Sequence, residues 1–434
     1  MTGKTRTPLA RSLSVGALLI GALWAGLGLT HAQDDLSGTI TVTVIEGAMR
    51  GTVEPLAQAF TQAHPNVNIN LVPEPEGGAF EALIAAGNQP DLLITSLGST
   101  IGRLASQDVV LPLEELSGAQ ELLEQVVSNA VEPLYGHTYY IPIGADVTMM
   151  IYNKELLEEA GLDPNQPPTT WQAFLDAAEA VQALPARSDN RKVYGTVFYN
   201  EALAWGGWYW NMLQPMYLNA NQDACGLLNR LGTGIEFDKP ECKMSEFFAF
   251  NQQAQAYAPP TMETNFFSRQ IGMWPQYGYS WEPNLKEAAG QPMVIGEDVG
   301  IAPVPVPSEG DTAYTTYGGR ALVILKTNPE RQNLAWEFIK FLMEQENNKT
   351  FITELGYLPV LKSLQDDPYF QDPARQPFVQ ELQNAVLPQM TASAEAVANA
   401  IQGVYQQVAV ENKVTPEQGV EDAAQAAQEA LQAR

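Results

Sequence analysis

The rings of Trp205, Trp208, Tyr209 and Trp210 crowd one Gly-rich stretch, and Tyr279 and Trp281 follow Gly278 further along. Consecutive residues cannot all face one side of a helix or a strand. At least one ring of the first group is therefore expected to face open space, with Trp205 and Trp208 as the candidates. Trp281 stands in a loop marked by Gly278 and Pro283 and is a third. Flat rings suit the C–H faces of a sugar, whose hydroxyl edge needs carboxylate or amide partners. Asp146 lies inside the apolar extended run Gly144 to Ile151, where a charge needs a partner or cleft solvent. Glu46 follows the first strand pattern, at the end where α/β sheets place ligand contacts. Arg50 and Arg320 either bind ligand or pair with a neighbouring acid, and Arg320 directly follows Gly318-Gly319. For any single tryptophan here, plain core packing is the competing reading.

Several chemistries have no signature. The chain has no G-x-x-x-x-G-K-[ST] phosphate loop, no H-E-x-x-H and no G-x-S-x-G. His64 precedes Pro65 at an expected helix end, and His137 follows Gly136 in a turn. Neither has Cys or His neighbours at metal-ligand spacing, so no metal and no cofactor is expected. Carboxylates are plentiful, which leaves an exported glycoside-acting enzyme as a second class with nothing that points to it. Cys225 and Cys242 are the only cysteines. In an exported chain such a pair reads as a disulfide, with two free buried thiols as the alternative.

Export is expected from the first 32 residues. Lys4, Arg6 and Arg11 precede an apolar stretch from Leu13 to Leu29, and Thr30-His31-Ala32 places small residues at a cleavage site after Ala32. An uncleaved anchor is the rival reading, although the stretch is short for a span and rich in Gly and Ala. The full chain carries a net charge of −27, and loss of that segment makes it more negative by its three basic residues. Such acidity repels nucleic acid and anionic lipid, and both are excluded as partners.

The 434 residues exceed one ordinary core. Strand and helix patterns alternate: Thr39 to Ile45 reads as a strand, Val53, Leu56, Ala57 and Phe60 as a helix face, and Val67 to Val72 and Asp91 to Thr95 as strands. This βαβ order predicts a mostly parallel sheet with helices on both faces. Tyr139 to Tyr152 is a long extended segment, and Val299 to Pro307 reads as a stiff connector because its alternating prolines forbid a helix. Ala321 to Leu325 reads as a further strand, followed by a helix with Leu334, Ala335, Phe338, Phe341 and Leu342 on one face.

Laid out this way, the chain resembles the family-1 extracellular solute-binding proteins of ABC importers, the group that includes the maltose binders. Tyr152-Asn153-Lys154-Glu155-Leu156-Leu157, Ala160-Gly161-Leu162-Asp163-Pro164, Pro168 and Trp171 carry the strongest likeness. Gly87-Asn88-Gln89-Pro90-Asp91, Gly318-Gly319, Gly356-Tyr357-Leu358-Pro359 and Leu387-Pro388-Gln389-Met390 follow in the family's order. The likeness covers almost the whole chain beyond the N-terminal segment. It implies an α/β, two-lobed periplasmic-binding-protein-like fold (type II), with discontinuous lobes that close on a central cleft by hinge bending. The expected lobes are residues 36–142 with 308–355 and residues 148–298 with 361–434, with crossings near 139–152, 299–307 and 355–360. It also implies a ligand set: Glu46 and Arg50 after the first strand, Ser96 in the turn after the Pro-Asp strand, Asp146 six residues before Tyr152, Trp205, Trp208, Tyr279 and Trp281 on the second lobe, and Gly319 with Arg320 at the Gly-Gly step.

The function so implied is capture of a small polar solute, a mono- or oligosaccharide, outside the cytoplasm in the periplasm or on the outer face of the envelope. The monomeric protein would deliver it to the membrane permease subunits of an ABC importer. Maltose binders carry Trp, Asp and Arg around the turn that here reads Thr95 to Thr100, and a stacking Trp where this chain has Ala394. Those differences point to a different or smaller sugar. The competing ligand is an anionic solute, such as a sugar phosphate or glycerol phosphate ester, clamped between Arg50 and Arg320.

Overall fold

Strand β1 (Gly38–Val44) turns Ile40, Val42 and Val44 fully into the core, as its alternation requires. Helix α1 (Ala48–Ala63) buries Met49, Val53, Leu56, Ala57 and Phe60, the i, i+4, i+7, i+8, i+11 positions of one face. The computed structural model describes residues 36–75, 79–198, 208–260, 265–279 and 282–433. The expected signal segment, Trp205 and Trp281 lie outside these residues.

Strand β2 (Val67–Pro73), helix α2 (Ala79–Ala85), β3 (Leu92–Ser96) and helix α3 (Ser99–Ser106) complete the first run. The chain then reaches β4 (Ile141–Asp146) and, after Val147 alone, β5 (Thr148–Asn153). These two strands belong to different sheets. The first sheet has the order β2-β1-β3-β10-β4, where β10 spans Gly318–Ile324. The second has the order β6-β7-β5-β8, with β6 at Tyr194–Thr196, β7 at Ile271–Gly278 and β8 at Val299–Ala302. A two-stranded parallel pair joins β9 (Thr315–Thr316) to β11 (Ala385–Val386). Each main sheet anchors one lobe of a two-lobed α/β fold.

The sheets are less parallel than expected. β1 runs parallel to β2 and β3, but β10 is antiparallel to both β3 and β4. In the second sheet only the β6–β7 pair is parallel. The cause is the crossing: β10 re-enters the first sheet from the second lobe, so it meets its neighbours from the opposite end. The expected connector at Val299 to Pro307 begins as a strand for the same reason, since β8 pairs with β5 before the prolines. β10 also starts three residues before the expected Ala321. Gly319, with φ of 120°, permits this, because a Cβ there would lie 2.1 Å from the Gly144 carbonyl.

Cys225 and Cys242 are bridged, with Cα atoms 5.4 Å apart. The bridged loop grips a distant segment: Gln389 accepts from the Leu228 amide (2.9 Å) and donates to its carbonyl (2.6 Å), and the Ser393 hydroxyl donates to the Gly232 carbonyl (2.7 Å). Among the described residues no helix is long and apolar enough to cross a membrane.

Candidate functional site

Three parallel strands of the first sheet end at one edge. Their C-terminal residues, Ile45 and Glu46 after β1, Pro73 to Pro75 at and after β2, and Ser96 and Leu97 at β3, line a cavity of about 550 Å³. This is the edge where open α/β sheets place their ligands. The antiparallel β10 begins at the same edge and adds Gly318, Gly319 and Arg320, while β4 ends there with Asp146. The opposite wall comes from Thr148, Trp210 and Asn211 of the second lobe, joined by Thr316 of β9. The cavity thus lies between the lobes, where the crossing strand passes.

Arg320 is held in place by hydroxyls. Its Nε donates to the Tyr357 hydroxyl (2.9 Å) and its Nη1 to Ser96 Oγ (2.6 Å). Tyr357 reaches this position because Gly144 lies flat beneath it; a Cβ on Gly144 would come within 2.9 Å of Tyr357 Cβ. Asp146 accepts from the Val147 amide (2.9 Å). It faces the side-chain-free surface of Gly278, where a Cβ would sit 3.3 Å from its Oδ2. Glu74 accepts from the Thr95 hydroxyl (2.7 Å). Carboxylate acceptors, a guanidinium, an amide and one indole therefore meet around a single space. This set can bind a polyhydroxylated molecule through paired donors and acceptors along its edge.

Of the residues expected from sequence, Glu46, Ser96, Asp146, Gly319 and Arg320 line the cavity. Arg50 does not. Its guanidinium closes on Glu46, with Nε 2.9 Å from each carboxylate oxygen, and donates to the Leu71 carbonyl (3.3 Å). The hydrogen bond to Glu46 raises the Arg50 pKa further above its ordinary value. Of the two readings open for Arg50, the structure shows the neighbouring acid: its partner is Glu46, four residues earlier in the turn that precedes α1. Trp208 also departs from expectation. It is 2% exposed and packs edge-on against Tyr405, with centroids 5.6 Å apart. Tyr279 is 1% exposed and packs against Phe378 at 5.1 Å.

Two aromatic residues line the cavity among the described residues, Trp210 and Tyr357. Residues Trp208–Leu213 form a π-helical turn, in which Trp208 is buried and Trp210, two residues on and on the opposite side, lines the cavity. Glu74, Asn211, Thr316 and Tyr357 were also missed. Glu74 obeys the same strand-end rule that singled out Glu46 and could have been found by it. Tyr357 sits in the Gly356-Tyr357-Leu358-Pro359 mark, but its bond to Arg320 spans 37 positions.

The family model for bacterial extracellular solute-binding proteins matches residues 46–349. The chain belongs to that family. A maltotriose-binding protein of Pyrococcus abyssi is 27% identical over 82% of this chain and 74% of its own length. The sn-glycerol-3-phosphate-binding periplasmic protein of Salmonella typhimurium is 24% identical over 79% of this chain and 80% of its own. Among solved structures, the cyclic alpha-maltosyl-1,6-maltose binding protein of Arthrobacter globiformis superposes with a TM-score of 0.76 at 22% identity, covering 92% of this chain and 100% of that one. The sugar-binding protein MalE of Xanthomonas citri gives 0.74 at 21% identity, over 92% and 98%. As a family member, the protein is a solute-binding protein with the two-lobed architecture of these neighbours.

Proposed function

We propose that this solute-binding protein captures a neutral sugar, a mono- or oligosaccharide, between its lobes and presents it to the permease subunits of an ABC importer. The observation that carries the reading is the cavity's composition: Glu74, Asp146, Asn211, Ser96 and Arg320 supply hydroxyl partners on several sides, and Trp210 supplies a flat face. The maltotriose-binding and maltose-binding names among relatives and structural neighbours support the same class. Arg50, occupied by Glu46, leaves Arg320 as the one guanidinium lining the cavity among the described residues, which weakens the case for a phosphate ester. The protein works outside the cytoplasm after loss of residues 1–32, as a monomer, with no catalytic turnover. Its lobes are residues 36–142 with 308–355 and residues 148–298 with 361–434, and the chain crosses between them near 139–152, 299–307 and 355–360.

A thermal-shift screen of neutral sugars against glucose 6-phosphate and sn-glycerol 3-phosphate, at low and high salt, tests the proposal. A ligand that binds only the folded state raises the melting temperature. The expected result is a neutral-sugar shift that salt leaves unchanged. A shift with the phosphate esters alone, lost at high salt, overturns the sugar reading.

A further inference from the structure

We infer that Gly98 is a specificity-determining residue: the space left by its missing side chain seats Trp210 of the opposite lobe, and that contact walls one end of the cavity. The inference rests on the cavity being the ligand site. Gly98 is buried, directly after the cavity residues Ser96 and Leu97. A Cβ on Gly98 would lie 2.9 Å from Trp210 Cζ2, 3.5 Å from Cε2 and 3.6 Å from Nε1, so the N–H edge of the indole rests on the glycine. No ligand contact by Gly98 is required. It acts by what it allows Trp210 to do.

The two partners are fixed to different lobes. Gly98 precedes α3, which packs into the first lobe through Ile101, Leu104 and Ala105, and the Leu97 amide donates to the Gly319 carbonyl (3.2 Å). Trp210 is fixed to the second, where Gln276 of β7 donates to Met212 Sδ (2.9 Å) within the same turn, and its carbonyl accepts from the Thr316 hydroxyl of β9 (2.8 Å). Two further contacts place the same face of α3 against the far side. Ser99 Oγ donates to Glu395 (2.8 Å), and a Cβ on Gly102 would overlap the Met390 carbonyl at 1.5 Å. Gln389 and Ser393, on either side of Met390, are the residues held by the disulfide-bridged loop. Gly98, Ser99 and Gly102 thus form the landing surface for the second lobe, and Trp210 is the one landing residue that also lines the cavity.

Seating the indole carries a cost that opening relieves. Trp210 Nε1 is buried with no hydrogen-bond partner, a desolvated donor that water would satisfy once the lobes part. Ligand contacts must offset this in the closed state. Because the wall is made by contact across the cleft, ligand length and closure are read together: a sugar chain extending past Trp210 would hold the ring off Gly98.

The test is a double-substitution cycle in the full mature protein with Gly98→Ala, Trp210→Ala and both together. Affinity is measured by calorimetry for glucose, maltose, maltotriose, maltotetraose and sn-glycerol 3-phosphate, and each unliganded protein is melted. Gly98→Ala is expected to weaken binding of the preferred probe at least tenfold. It should do so less than threefold when Trp210→Ala is already present, because the clash is gone. Trp210→Ala is expected to move the preference toward a longer sugar. If no probe binds, the melting cycle decides: Gly98→Ala lowers Tm in the parent and not in the Trp210→Ala background. Parental affinity and Tm in Gly98→Ala, or equal losses with and without Trp210, overturn the inference. Preference for the phosphate ester with the coupling intact overturns only the sugar reading. Should Gly98→Ala fail to fold alone, folding of the double variant supports the steric contact, and failure of both overturns it.

Discussion

Asp91 is fully buried, yet every side-chain oxygen has work: Oδ2 accepts from the Thr41 amide (2.8 Å) and Arg331 Nη2 (2.6 Å), and Oδ1 from the Thr327 hydroxyl (2.9 Å). One carboxylate thereby ties β1, β3 and the turn before the helix Pro329–Leu342 together. Asp91→Ala strands a guanidinium and an amide, and should lower unfolding free energy by about 3 kcal/mol in denaturant titrations. In the sequence, Asp91 was legible as the start of a strand; the ion pair was not, because its partner lies 240 positions away. Glu381 is a second buried carboxyl, 6% exposed, and burial pushes its pKa from 4.5 up to about 7. The folded state then holds a proton that the unfolded chain releases between those values. Stability from this site is full below pH 4.5 and declines as pH rises to 7, by about 1.4 kcal/mol per pH unit at most. Glu381→Gln should match the parent in Tm at pH 4 and exceed it at pH 8.

At the scale of elements, the strand ends were readable and the aromatic turn was not. Glu46 and Asp146 were legible because a strand's C-terminal end, or a charge in an apolar run, marks a site without knowledge of the partner strand, whereas Ser96 was implied only by the family resemblance. The cluster from Trp205 to Trp210 was expected to show Trp205 or Trp208 to the cleft, but which ring faces it depends on tertiary packing that the local sequence does not carry. The turn Trp208–Leu213 buries Trp208 and leaves Trp210 lining the cavity, a choice made by the packing of Trp208 against Tyr405. The antiparallel entry of β10 was likewise hidden, because local alternation carries no strand direction. The bridged loop is a positioning element as well as a staple. Cys225→Ser with Cys242→Ser should cost about 3 kcal/mol of stability. It should also loosen the Gln389 and Ser393 anchors, seen as faster amide exchange at Leu228, whose amide Gln389 accepts.

For the whole molecule, the crossing between β4 and β5 is a single residue, Val147, and the cavity lies directly beside it. Rotation about such crossings changes the gap between the lobes while leaving each sheet intact. A ligand that touches both walls favours the closed state by its differential contacts alone. Small-angle scattering should therefore show a smaller radius of gyration when the sugar is present. The acidic surface should keep the protein off nucleic acid at any salt. Asp146 is the group that best joins site to motion, because it ends β4 at the crossing and lines the cavity. The most direct measurement is calorimetric titration of the neutral sugar found in the screen into the parent and into Asp146→Ala. Loss of charge-assisted hydrogen bonds predicts binding weaker by roughly tenfold to a hundredfold, with the fold retained by circular dichroism. Parental affinity in the Asp146→Ala protein would contradict this placement of the ligand.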